Sequence, residues 1–290
     1  MAAVGAALTL SLTACTPRAI EPTWRLDVPA CSGGGRQLHV DLALPPIAGA
    51  PTAARAAMVF VHGGGWQAGH RRDYHPLMRG FAQAGIVGVA VEYRFLPGAP
   101  FPAQLEDVKC GVRWLRAHAG ELGVDARRIG AIGGSAGAHL VAMLGATQSA
   151  REHEGQGGWA EQSSAVQVVV AHGGPHDLTV AMDPTHAATL RSQGRASVRA
   201  LVGDDPMRAR AASAALLLDA TMPPTLVLHG QNDPVVPADQ ARRLADALTR
   251  SGVPHELVVI PAAGHMDFGA DPDAVGARVR AFLQRHLGAV

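Results

Sequence analysis

An α/β architecture, a mostly parallel central sheet with helices on both faces, is predicted by three observations. Short, predominantly apolar runs such as residues 57–61 (AMVFV) and 166–171 (VQVVVA) have the length and composition of strands buried on both sides. They alternate along the chain with longer stretches of helical periodicity. Glycine-rich loops follow several of the apolar runs directly, at the carboxyl ends where such sheets gather their functional groups. The chain has 290 residues, enough for one large α/β domain or two small ones, and either would bury a substantial core. Its formal net charge is +1 and no basic run exists, so no nucleic-acid partner is expected. No internal repeat is found.

Residues 1–15, MAAVGAALTLSLTAC, are small and apolar but too short to span a bilayer as a mature helix. They read as the apolar core of a secretory signal. Leu12-Thr13-Ala14-Cys15 resembles a bacterial lipobox, in which Cys15 is acylated and becomes the mature N-terminus; no Lys or Arg precedes it, a departure from that pattern. The expectation is an exported protein tethered to the bacterial membrane by lipid on Cys15, or otherwise periplasmic or secreted. Residues 16–35 read as a tether, and 36–290 as the catalytic domain. Cys31 and Cys110 read as buried free thiols, because sequence alone cannot bring them within reach of each other, although an oxidising compartment would permit pairing.

Residues 36–44 alternate as a half-buried strand, with Leu38, Val40, Leu42 and Leu44 on one face. After the buried run 57–61 comes His62-Gly63-Gly64-Gly65-Trp66, whose bare backbone N–H groups suit a pocket that places donors against a developing oxyanion. Residues 72–84 look helical, 86–91 form a buried strand, and 101–119 carry Leu105, Val108, Val112 and Leu115 on one helical face. The apolar residues Ile129, Ala131 and Ile132 then run into Gly133-Gly134-Ser135-Ala136-Gly137, followed by a helix. This is G-x-S-x-G between a strand and a helix. The glycines allow close packing while Ser135 sits strained at the tip, facing the positive end of the helix.

Residues 148–164 are a polar surface excursion, and 178–220 have weaker patterning that suits a small lid. Strand 225–228 leads to Gly230-Gln231-Asn232-Asp233, helix 237–250 and strand 255–260 follow, and Gly264-His265 precedes a last helix capped by Asp271-Pro272. Ser135, Asp233 and His265 therefore all stand just past strand ends, in the order of nucleophile-elbow hydrolases. A serine hydroxyl needs a base to take its proton, which His265 supplies, while Asp233 fixes the imidazole's tautomer and balances its charge. Asp204 and Asp205 are rival acids but follow no clear buried strand. Among fourteen histidines, His139 reads as a packing residue. His172 and His176 lack a convincing third ligand, so no metal is expected, and no other cofactor.

Together HGGGW, YR, FPAQLEDVKCGVRWL, GGSAG, PPTLVLHGQNDPVVP and GH resemble the α/β-hydrolase esterases. The nearest branches are those similar to hormone-sensitive lipase and to the bifunctional feruloyl/acetyl-xylan esterases. The resemblance covers roughly residues 36–290 and implies the α/β-hydrolase fold. Carried over position by position, it implies Ser135 as nucleophile, Asp233 as acid, His265 as base, and Gly64, Gly65 and Ala136 as oxyanion-hole amides. Ala138 departs from the frequent SAGG, which bears on helix packing. The implied activity is a serine carboxylic ester hydrolase taking a small-molecule ester. An amidase or formamidase of the same fold and a non-catalytic binding module are the alternatives. Residues 178–199 carry no aromatic side chain and few bulky aliphatic ones, so short acyl chains are expected.

Overall fold

Eight strands form one sheet in the order β1-β2-β4-β3-β5-β6-β7-β8 in the computed structural model, which describes residues 21–46, 53–150, 153–183 and 192–288. The strands are β1 (Thr23–Gly33), β2 (Arg36–Leu44), β3 (Arg55–Val61), β4 (Val87–Val91), β5 (Val124–Gly134), β6 (Val168–His172), β7 (Thr225–Gly230) and β8 (His255–Ile260). β1 and β2 run antiparallel to their neighbours, and β4 through β8 are parallel throughout. The expected α/β-hydrolase architecture is what the chain adopts. In β3, whose run from Ala56 is wholly buried, Val59 pairs with Val89 on one side and Ala131 on the other. Only a strand covered on both faces can be so uniformly apolar.

Helices α1 (His75–Gln83) and α9 (Pro272–Leu287) cover one face, burying Met78, Ala82, Val275, Phe282 and Leu283 against Phe60, Ile132 and Leu226. The other face carries α2 (Ala103–Ala117), α3 (Ala119–Leu122), α4 (Ala136–Ala146), α5 (Ser192–Val202), α6 (Pro206–Ala211), α7 (Ala214–Leu217) and α8 (Asp239–Arg250) over the larger core cluster. α4 is buried along its whole length, which explains its nearly uniform apolar sequence. A 3₁₀ turn, Arg71–Tyr74, leads into α1, so the helix expected over 72–84 is split. The segment expected as a lid contains a second 3₁₀ turn, Leu178–Ala181, and α5 to α7. The excursion near 154–164 is pinned to the body, since Glu154 pairs with Lys109 and Arg113 of α2 and accepts from Ser164.

Two expectations are corrected. Thr23–Gly33, read within a tether at 16–35, is the outermost strand of the sheet. Register shifts between Arg25 and Val28 and between Pro29 and Cys31 break its alternation, which hides a strand from periodicity. Pro29, which cannot donate to a ladder, is tolerated because the strand lies at an edge. Cys31 and Cys110, read as free thiols, are joined by a disulfide with their Cα atoms 6.2 Å apart. The strand that carries Cys31 beside α2 makes that pairing possible. The signal at 1–15, Cys15 and the first residues of the tether lie outside the described residues. Among the described residues, no helix is long and apolar enough to cross a membrane.

Candidate active site

β5 ends at Gly134 and α4 begins at Ala136, leaving Ser135 alone in the turn at φ 54° and ψ −121°. That conformation strains a residue with a Cβ and persists only where the surroundings enforce it. Here the surroundings are backbone. A Cβ on Gly133 would overlap the carbonyl of Gly137, and one on Gly137 would overlap the carbonyl of Val61. Strand and helix can approach this closely only because both positions are glycine. The Ser135 N–H donates to the His172 carbonyl at 2.9 Å, which ties the elbow to β6.

The structure brings Ser135, Asp233 and His265 together. His265 Nε2 lies 2.9 Å from Ser135 Oγ, and its Nδ1 lies 2.7 Å from Asp233 Oδ2. An ionised carboxylate only accepts, so Nδ1–H donates to Asp233 and Nε2 is left to accept from the hydroxyl. The side chain of Asp233 is fully buried. Burial alone would raise its carboxyl, but N–H donors at His229, His265, Val236 and Val235 outweigh that and hold it well below the usual carboxylate range. The Val235 and Val236 amides meet Oδ1 at 2.8 and 2.9 Å. His229 Nε2 stands 3.4 Å from Oδ2 and 2.8 Å from the Val236 carbonyl. Sequence reasoning passed over His229, one of fourteen histidines, although its place near the end of β7, four residues before Asp233, was visible.

Gly64 and Gly65 hold φ of 106° and 60°, and the N–H groups of Gln67 and Ala68 both close onto the Gly64 carbonyl at 3.1 Å. A Cβ on Gly64 would overlap the Ala68 carbonyl, so this turn requires glycine. Tyr93 fixes the loop from below, its Oη within 2.9 Å of the His62 carbonyl and 3.1 Å of that of Gly63. Burial keeps the Tyr93 phenol protonated, raising it above its ordinary value. The His62 ring stacks on Tyr93 at 4.3 Å, and burial lowers its basicity. Gly64, Gly65 and Ala136 line one cavity of about 650 Å³ with Ser135 and His265. Gly194 and Ser197 bring α5 to its border.

The three other histidines singled out in the sequence, His139, His172 and His176, are placed by packing. His139 is fully buried, accepts from Trp66 Nε1 at 3.3 Å, and lies 2.8 Å from the Ala212 carbonyl through Nε2. Burial pushes it down to about 4, so it stays neutral at physiological pH. His172 is held down to about 4 by burial and by the neighbouring His229 and His265, and Phe268 covers it at 4.9 Å. His176 is buried completely, which lowers it further. Among the described residues, no group of three His, Cys, Asp or Glu side chains is arranged to hold a metal ion. Asp204 pairs with Arg199, and Asp205 caps α6 through the amides of Met207 and Arg208. Neither takes the place of Asp233.

Residues 40–248 match the BD-FAE family. The probable carboxylic ester hydrolase LipM of Mycobacterium tuberculosis is 34% identical over 215 residues, covering 74% of this chain and 49% of LipM. Esterase LipQ of the same organism is 34% identical over 220 residues, covering 76% of this chain and 51% of LipQ. The chain thus spans about half the length of these curated relatives. Esterase 2 of Thermogutta terrifontis, in a structure phosphonylated by sarin, superposes with a TM-score of 0.76 at 27% identity. That match covers 93% of this chain and 96% of the other. A carbohydrate esterase from gut microbiota, with a TM-score of 0.78 and 24% identity over 92% of this chain and 97% of its own, shares the fold.

Proposed function

Since the chain belongs to the BD-FAE family, whose match here spans residues 40–248, we propose that it is a carboxylic ester hydrolase working through an acyl-enzyme on Ser135. One observation carries the reading: a buried carboxylate, an imidazole and a serine hydroxyl stand in hydrogen-bonded series at 2.7 and 2.9 Å. Relatives named as esterases support ester over amide as the bond attacked.

In the proposed reaction His265 Nε2 takes the Ser135 proton as Oγ attacks the ester carbonyl. The carbonyl oxygen becomes an oxyanion facing the amides of Gly64, Gly65 and Ala136, with the positive end of α4 beneath it. Asp233 stabilises the imidazolium without taking its proton. Collapse breaks the bond to the alcohol oxygen, which receives the proton from His265 and leaves. Water then attacks the acyl-enzyme, giving its proton to His265, and the carboxylic acid departs as Ser135 is restored.

Short acyl chains are part of the proposal. In the wall of the cavity beside Ser135 the apolar side chains Trp66, Val235, Val236 and Met266 are interrupted by Gln67, Asp73 and Ser197 and by the bare backbone of Gly64 and Gly65, so a long chain would meet no continuous apolar channel. Export with lipid on Cys15 also remains a proposal; the Cys15→Ser variant should leave the detergent phase for the aqueous one. For the enzymology, the protein is assayed on p-nitrophenyl esters and aryl formamides, and a fluorophosphonate-labelled sample is peptide-mapped. Turnover of butyrate ester and label on Ser135 are expected. Label on another serine, or preferred turnover of the formamide, would overturn the reading.

A further inference from the structure

A second cavity, of about 470 Å³, lies between α1 and α9 and reaches the sheet at Gly133 and His172. Its walls are apolar, with Leu77 and Phe81 from α1, Val279 and Leu283 from α9, and Phe268 from the loop after His265. Leu77 and Phe268 are large apolar side chains left exposed, so the cavity has an open, water-facing rim. Asp73 and Met266 line both this cavity and the one beside Ser135.

Met266 follows His265 directly and holds φ at 59°, a left-handed conformation that a side chain with a Cβ rarely adopts. Its thioether rests on the elbow: a Cβ built on Gly134 would overlap Met266 Cε, and Tyr74 Oη lies 3.0 Å from the same point. A Cβ on Gly173 would find Met266 Sδ and Asp233 Oδ2 each at 3.6 Å and His265 Cε1 at 3.7 Å. The methionine therefore stands among the three residues that would perform the chemistry, with the apolar cavity beyond it. An unbranched thioether fills an irregular gap and changes rotamer readily.

We propose that Met266 determines substrate length, by standing as a stop between the ester bond and an apolar subsite enclosed by α1 and α9. The subsite takes an apolar arm of an ester, acyl or alkyl, once the stop is shortened. Each methylene it buries is worth about fourfold in kcat/KM, from the transfer free energy of one CH₂ group. The inference rests on the ester-hydrolase reading and adds a length limit to it.

The test compares kcat/KM over p-nitrophenyl esters from acetyl to dodecanoyl, and over acetate esters of alcohols of matching lengths. Met266→Ala removes the stop, and Met266→Gly does so while suiting the positive φ, so one of them is available if the other folds poorly. In the shortened enzyme the octanoyl-to-butyryl ratio, or its counterpart in the alcohol series, should rise by about tenfold or more. The series that responds identifies the arm. Adding Gly80→Leu on α1, at a cavity-lining position with no atom within 4 Å of an added Cβ, should refill the subsite and restore the wild-type ratio. Unchanged ratios in both series, with butyrate still hydrolysed, would overturn the length stop alone, as would a gain that Gly80→Leu fails to reverse. Loss of all ester turnover in the wild type would instead overturn the hydrolase reading.

Discussion

Two buried aspartates in this molecule each hold a histidine, and the pairs differ in what stands around them. Asp41 of β2 meets His75 Nε2 at 2.9 Å, and Asp233 meets His265 Nδ1 at 2.7 Å. The two imidazoles are about equally exposed, at 22% and 21%. Both carboxyls lie below their ordinary value despite burial, which alone would raise them. Around Asp41, however, the guanidinium of Arg71 lies 3.2 Å away and ties in Asp27 and Glu92, while Trp24 packs on the His75 ring at 4.7 Å. Around Asp233 the donors are backbone amides and imidazoles, and the far nitrogen of His265 meets a serine hydroxyl. A carboxylate–histidine pair becomes chemically useful when its negative charge remains for the imidazolium to balance and a proton donor waits on the other nitrogen. Beside Arg71 the pair is a fastening for the sheet.

The sharpest way to break this contrast is at the hydroxyl. Ser135→Ala should lower kcat by roughly 10⁴- to 10⁶-fold and abolish fluorophosphonate labelling, with circular dichroism and melting temperature unchanged. Hydrolysis near the wild-type rate would mean that the second pair is as inert as the first.

The two aspartates should separate in a matched experiment. Asp233→Asn should cost roughly 10³- to 10⁴-fold in kcat, because the amide would hold the imidazole in the wrong tautomer. Asp41→Asn should leave kcat within a few-fold but destabilise the fold by about 2–3 kcal/mol, since Arg71 keeps Glu92 and Asp27 but loses its most buried partner. Steady-state kinetics and denaturant melts on both variants check the pattern, and a reversed pattern would dissolve the comparison.

A comparable loss of stability, again without loss of turnover, is expected at the disulfide, which fastens the same edge of the sheet as Asp41. The Cys31→Ala/Cys110→Ala variant should lose about 2–4 kcal/mol of stability, because the bond closes a loop with a sequence separation of 79. Its kcat should stay at the wild-type value, since Ser135, Asp233 and His265 stand on the rim built from other strands.

The last test is acidity. His139 and His172 bind a proton near 4 when folded, against about 6.5 when unfolded. Between those values the unfolded chain holds more protons, so stability falls as pH drops from about 6.5 to 4. Each contributes on the order of 3 kcal/mol over that window. The depressed carboxyls add loss only below the ordinary carboxylate range, so they do not blur it. Melting temperatures for wild type and His139→Gln should show a shallower slope in the variant.

Much of this was legible in the sequence because the motifs encode local backbone demands. Gly133 and Gly137 had to flank Ser135 whatever the rest of the chain did, and Gly64 had to open the turn after β3. The buried strands declared themselves by uniform apolarity. What stayed hidden depended on tertiary placement. β1 lost its alternation at two bulges, and without β1 the Cys31–Cys110 pairing could not be located. His229, at the end of β7, and Met266, in the loop after β8, were given no role by the motifs, and what they touch comes from how these segments meet at the elbow.

The outermost strand also bears on how copies of this protein meet one another. β2 is nine residues long, and its Leu38, Val40 and Leu42 are buried. Stripped of β1 it would present a straight apolar edge with a row of open N–H and C=O groups, a template on which another chain could add a strand. β1 covers that edge with a ribbon made unsuitable for further pairing by Pro29, by two bulges and by the charge of Arg25, which pairs outward with Glu121. The Cys31–Cys110 bond ties this ribbon covalently to α2. Under reducing conditions the first consequence would then be molecules joining edge to edge, while the rim that carries Ser135 is still intact.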